Sequence, residues 1–398
     1  MKSQNVASKR GLIITATIVF VLSVSELSNA QAPSGRLQAP ANQAQTNDRA
    51  EGEPALEIQQ QAEQELRNGT DLTRRGLFKE AIPHLLVAHG RVSNEYAAAF
   101  NLALCYVGTN QFERAIDLLK GLLNGAHAAD VENLLAQAYI GNGQPQEALT
   151  ALQKAAVLTP QNEKLYLLVA DACTDHHDYA LGLKVADLGL RNLSQSPRLH
   201  YERGVFLSRL DDFDHAKADF ELVSKVAPGS EISYLASAHE ALLDGNIAEA
   251  IRVAREGVGK SFDNPVLLTI LGEALIRSGA SPGQPEFAEA EAVLRKSVAK
   301  QPNDASSRLC LGELYLVEGH LDDAIAQLQR AQQIDPSTPA VYASLAKAYQ
   351  RRGDLRRAQE ALEVLTQLNQ AQADRISSAP GDRKVSYGGR VADDEPSH

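Results

Sequence analysis

Small residues return along this chain at one fixed step, and nothing else in the sequence limits its fold so tightly. One column reads Gly69, Ala103, Ala136, Ala170, Gly204, Ala238, Gly272, Gly312 and Ala346. A second reads Ala81, Ala115, Ala148, Gly182, Ala216, Ala250, Ala290, Ala324 and Ala358. Successive members lie 33 or 34 residues apart, with a single step of 40 in each column. Small side chains let two helices approach closely, so two small positions per period mark a repeated helix–helix contact. Self-similarity at such a period specifies a solenoid, in which each unit hides its apolar face by stacking on the next. The chain reads as all-α: one continuous α-solenoid of about nine helix-turn-helix units, not two globular domains.

The unit from Ala305 to Thr338 displays the pattern. Leu309, Leu311, Gly312, Tyr315 and Leu316 share one face at helical spacing. Gly319 then stops the helix, as glycine does at a left-handed C-cap. Leu321, Ala324, Leu328 and Ala331 form a second apolar stripe, and Pro336 ends it because proline cannot continue a helix. The equivalent turn positions elsewhere are Gly76, Asn110, Gly143, His177, Asp211, Gly245, Gly279 and Gly353. Most of these residue types tolerate a positive φ. Two residues later Phe78, Phe112, Tyr179, Phe213, Ile247, Leu321 and Leu355 seat the second helix. Pro145 is the exception, and in the seventh unit an insertion, Ala280 to Pro285, pushes this group out to Phe287.

Taken together, these features resemble the tetratricopeptide repeat family over about residues 62–371. Both small columns, the turn glycine, the aromatic column Tyr106, Tyr139, Tyr315 and Tyr349, and the closing prolines match. The family's tryptophan near the start of a unit is missing, with Tyr166, Tyr234 and Tyr342 in its place. The first unit carries Asn68 where leucine is usual. The fourth is degenerate at Cys173, His177 and Gly182. The resemblance implies a right-handed superhelix whose first helices line a concave face that binds protein partners. It places Phe100, Leu104, Asn133, Gln137, Lys164, Leu167, Asp171, Tyr201, His239, Thr269, Glu273, Leu309, Glu313 and Lys347 along that face. A one-residue error of phase would turn several of them into core between units. Some family members grip a carboxyl terminus with a Lys/Asn clamp; the matching places here lack that basic set.

The ends differ from the repeats. Lys2, Lys9 and Arg10 precede an apolar run from Gly11 to Val24, and Ser28-Asn29-Ala30-Gln31-Ala32 follows. This is the pattern of a secretory leader, cleaved after Ala30, and the run is shorter than the roughly 20 residues of a spanning helix. Residues 31–54 read as a flexible linker, 55–373 as the solenoid and 374–398 as a disordered tail. The chain carries a formal charge of −11. The first 30 residues contribute three cations and one acid, so the remainder stands at −13. That balance excludes phosphate-dominated nucleic-acid binding and argues against a helical repeat that reads RNA.

Chemistry is sparse. Asp175-His176-His177-Asp178 is read as a polar solvated turn, because a metal would need ligands from a second cluster. Ser208, Asp211 and His215 lack a nucleophile-elbow motif. Cys105, Cys173 and Cys310 lie in first helices at least two units apart, roughly 16–20 Å by helix spacing. That separation is beyond disulfide reach. No catalytic residue, metal or cofactor is assigned, and the chain is read as not an enzyme.

The expectation is an exported, periplasmic or extracellular scaffold that binds a peptide or helical segment of a protein partner. The alternative is an auxiliary subunit of a polysaccharide or outer-membrane protein export machine. A repeat arm of a glycosyltransferase would need a catalytic domain. Ala358, Leu362, Leu365 and Leu368 leave an apolar stripe at the last unit. Either a short helix around residues 371–377 covers it or another chain does, a homodimer being the simplest case.

Overall fold

The computed structural model describes residues 49–378, and side chains from 56 to 374. Among them the chain forms eighteen helices and no strand. They pair in order as α1 (Arg49–Arg74) with α2 (Phe78–Ala88), α3 (Glu95–Gly108) with α4 (Phe112–Lys120), and α5 (Ala128–Gly141) with α6 (Pro145–Leu158). Next come α7 (Glu163–Asp175) with α8 (Tyr179–Asn192), α9 (Pro197–Arg209) with α10 (Phe213–Val226), and α11 (Glu231–Leu243) with α12 (Ile247–Gly259). The last are α13 (Pro265–Arg277) with α14 (Pro285–Lys300), α15 (Ala305–Glu318) with α16 (Leu321–Ile334), and α17 (Pro339–Arg352) with α18 (Leu355–Ser378). These are the nine units of the period.

Local chemistry sets the boundaries. Asn94, Asp178, Ser196, Ser230, Asn246, Asn264 and Asp304 each accept a backbone N–H of the first turn of a helix. Such caps satisfy donors that the helix leaves unpaired. Proline opens α6, α9, α13, α14 and α17, where a missing N–H does no harm. All nine turn positions have positive φ, including three that are not glycine: Asn110 at 60°, His177 at 57° and Asp211 at 63°.

The small columns are where the two helices of a unit meet. Ala81, Ala115, Ala148, Ala216, Ala250, Ala290 and Ala324 have no exposed surface. A β-carbon placed on Gly272 would lie 2.4 Å from Leu294 Cγ, and one on Gly204 would lie 2.6 Å from the Phe220 ring. Each helix therefore presents a notch that the other fills.

Packing also fixes the direction of curvature. First helices of consecutive units approach one another at every step, from α1–α3 through α15–α17. Of the second helices only α6 and α8 do so. A ribbon whose first helices are crowded and whose second helices are splayed curves toward the first helices. Helices in close approach all belong to the same or adjacent units.

The ends depart from the sequence reading. α1 starts at Arg49, so the last residues assigned to the linker are helical. The helix α18 continues to Ser378, and residues 371–377 extend it instead of folding back as a separate helix. Leu355 is 70% and Leu362 36% exposed, while Leu365 and Leu368 are part-buried. The leader, most of the linker and the end of the tail lie outside the described residues. No described helix is long and apolar enough to cross a membrane.

Candidate functional site

The residues placed on the concave face divide by burial. Phe100, Leu104, Asn133, Gln137 and Tyr201 are buried, as is Thr269. They join units together and offer a partner little surface. Asn133 donates to Leu165 O of the next unit at 2.7 Å, and Gln137 donates to Asn133 Oδ1 at 2.9 Å. The crevice among Phe100, Leu104, Asp130, Asn133, Gln137 and Leu168 has room for no more than a water molecule. Here the phase falls on the core side.

Further along, the same register emerges into solvent. Lys164, Asp171 and Lys347 are exposed; Leu167, His239, Glu273, Leu309 and Glu313 are part-buried. Tyr201 OH lies 3.1 Å from His239 Nδ1, and their rings stack with centroids 5.7 Å apart. The Phe220 ring lies 5.6 Å from His239 and 5.8 Å from Tyr201, so the three rings form one cluster. Burial, with help from the Arg209 charge, lowers the His239 pKa to about 4, so this imidazole is neutral at pH 7. Glu313 accepts from Ser344 Oγ at 2.8 Å, and Glu273 pairs with Arg277 at 3.2 Å.

The residues that the sequence reading missed are acidic. Glu202 holds the place that units 3, 4 and 6–9 fill with Leu134, Leu168, Ala236, Ile270, Cys310 and Ser344, and that units 1 and 2 fill with Arg67 and Asn101. A carboxylate in the middle of the array, between units that place Leu168 and Ala236 there, was a readable anomaly. Burial first, and then the nearby Asp171 charge, push its pKa up to about 8. Asp171 rises to about 6 by burial and the Asp175 charge; Asp175 rises to about 6 by burial, opposed by His177. Asp171 and Asp175 keep surface open to water, and crowding by the surrounding protein weakens their hydration. The result is an acidic stretch on α7 and α9 with the Tyr201–His239 stack beside it.

Other clusters have local roles. In the Asp175-His176-His177-Asp178 turn, Asp178 caps α8 and the His176 ring meets Phe112 edge-on at 5.7 Å. His177 reaches a distant unit, so this turn is more than a solvated one. No group of three metal-ligating side chains converges among the described residues. Ser208 donates to Val205 O, His215 lies 2.8 Å from Asp212, and Asp211 accepts from Gln372. Ser208, Asp211 and His215 thus do not form a relay. All three cysteines are free and buried, and burial pushes each thiol pKa up, Cys105 to about 11.

Sequence patterns of tetratricopeptide repeats match residues 133–197, 284–344 and 318–379. The pattern for subunit 3 of the anaphase-promoting complex, or cyclosome, matches residues 74–155. The chain belongs to the tetratricopeptide repeat family. Among solved structures, a tetratricopeptide repeat protein from Parabacteroides merdae is 17% identical, with 64% of this chain and 98% of that one covered and a TM-score of 0.47. One from Thermus thermophilus is 24% identical, with 46% and 100% covered and a TM-score of 0.38. A hetero-tetramer of the anaphase-promoting complex is 15% identical, with 76% and 59% covered and a TM-score of 0.47. No curated protein matches significantly in sequence. In this tetratricopeptide array the first-helix face from unit 4 to unit 9 is the candidate interface.

Proposed function

We propose that this protein is an exported scaffold that holds an extended or helical segment of a partner protein along its concave face, without turnover. One observation carries the reading. The first helices leave Lys164, Asp171 and Lys347 facing away from the packed core, on the crowded side of the ribbon, with Glu202 part-buried among them. Side chains so placed can meet a guest at fixed spacing, one set per unit. The leader-like start of the sequence supports a site of action outside the cytoplasm.

Photo-crosslinking residues in place of Asp171 or Lys347, and in place of Val157 on a second helix (82% exposed), test the face directly in the native host. The same partner should be captured from the first two positions and not from the third. Capture from Val157 alone would assign the interface to the outer surface.

A further inference from the structure

One ring contact, His176 on Phe112, joins unit 4 to unit 2, and four polar contacts depart further from the neighbour-only rule of this array. His177 Nε2 lies 3.1 Å from Ile334 O, and His177 Nδ1 lies 3.7 Å from Asp335 Oδ2. Arg209 donates to Ser306 Oγ at 3.2 Å, and Gln372 donates to Asp211 Oδ2 at 2.7 Å. These pairs are 157, 158, 97 and 161 residues apart. Elsewhere, bonds such as Tyr201–His239 and Asn133–Leu165 tie a unit to its neighbour. The four polar contacts all join the turns of units 4 and 5 to units 8 and 9. They fall where one coil of the ribbon returns past the previous one.

The seam has a distinctive make-up. No helix of units 4 and 5 closely approaches a helix of units 8 and 9, so no shared apolar core lies beneath it. The tips of polar side chains close it instead. The Arg209 guanidinium also stands 5.9 Å from the Tyr179 ring centroid, on the wall beside His177. Arg209 further belongs to the stretch that carries Tyr201 and Glu202. The helix α18 is 24 residues long against 9–16 for the other second helices. Its extra turns are what bring Gln372 to Asp211. The surplus length serves as a strap.

We infer that these contacts form a latch that closes units 4–9 into a ring, and that its parting admits a partner sideways to the concave face. Packing between adjacent units is extensive and apolar, so it stays put while the latch moves. The Arg209–Ser306 and Gln372–Asp211 bonds are exposed and compete with water. The part-buried His177 contacts are few and polar, so the seam breaks more readily than the apolar packing. A guest helix needs the seam to part by about 10 Å, the width of a helix with its side chains. This inference rests on the concave-face reading for its purpose, though not for the existence of the latch.

Two variants of the full chain test it. His177→Gly/Arg209→Ala/Gln372→Ala removes the latch, with glycine keeping the positive φ at residue 177. Its helix content should equal that of wild type. Its largest dimension in solution scattering should rise by about 10 Å. Superimposable scattering would overturn the latch. Arg209→Cys/Ser306→Cys, joined by a short bismaleimide, locks the seam; the three buried native cysteines leave wild type as an unreactive control. The lock should form in native protein, and failure to form there would likewise overturn the closed ring. Capture by the photo-crosslinkers at Asp171 and Lys347 should fall severalfold once the seam is locked. Unchanged capture would reject the seam as the entrance. Capture missing from the unlocked protein as well would reject the concave-face reading, while the scattering result would stand.

Discussion

Gly272→Ala should destabilise the array even though it improves helix propensity. Alanine is favoured over glycine inside a helix by about 1 kcal/mol, which sets the gain. Against it stands the space available. The new β-carbon would lie 2.4, 2.6 and 3.0 Å from Leu294 Cγ, Cδ2 and Cδ1. Leu294 has no exposed surface, so its branch has nowhere to swing. Overpacking a tight core contact costs about 1–3 kcal/mol. With all three branch carbons too close, the upper part of that range applies, and a net loss of about 1–2 kcal/mol follows. Gly259→Ala is the internal control, because nothing lies within 4 Å of the added carbon. It should leave stability unchanged or raise it. Solenoids need not melt as one unit, so denaturant unfolding should be read together with amide exchange in α13 and α14. Leu294→Ala alone should cost about 2–5 kcal/mol, and combined with Gly272→Ala it should cost at least about 1 kcal/mol less than the sum. Gly272→Ala protein as stable as wild type would refute the notch-and-filler account of the small columns.

Other consequences are equally direct. Asp219, with its side chain 4% exposed, accepts from Arg203 at 2.7 and 2.8 Å and lies 2.7 Å from His200 Nδ1; Asp219→Ala should cost about 3 kcal/mol in unfolding experiments. Those donors hold the Asp219 pKa below its ordinary 3.8 against the pull of burial, so the stability it contributes is present at neutral pH and lost only below about pH 4. Glu202 runs the other way: its folded pKa of about 8 exceeds the ordinary 4.5, so the fold is undisturbed below pH 4.5 and loses stability as pH rises toward 8. Glu202→Gln should therefore match wild type at pH 4.5 and be more stable at pH 8.5 by about 1–2 kcal/mol after solvent screening, as melting curves at the two pH values would reveal. Mass spectrometry of the protein from its native host should find Gln31 at the amino terminus; a chain that retains Met1 and stays in the cytosol would contradict export.

The repeat was legible because its signals are local. Glycine and its substitutes at positive φ, caps, prolines and paired small residues each act within one unit, and nine units repeat the message. Even the non-glycine turns Asn110, His177 and Asp211 have the backbone their column required. The site was less legible because exposure depends on neighbours. Phe100, Asn133 and Tyr201 sit in the groove register, yet adjoining helices close over them. Glu202 was passed over since its column reads as packing, and only its departure from Leu168 and Ile270 marked it. Contacts such as His177–Ile334 depend on how a small rotation per unit accumulates over four units, and no single window of sequence records that sum.

The neighbour-only packing also governs how this chain acquires its structure. Apart from the seam and the His176–Phe112 ring contact, contacts are made within a unit or with its neighbour. Contact order is therefore low and loop closure is brief, which favours rapid assembly. A chain that emerges amino terminus first can add units one after another, each templated on the last. Three of the four seam contacts become available once unit 8 is in place, and α18 adds the last. A truncation before Gln372 would thus leave a folded array whose seam keeps the unit 8 contacts and lacks only its strap.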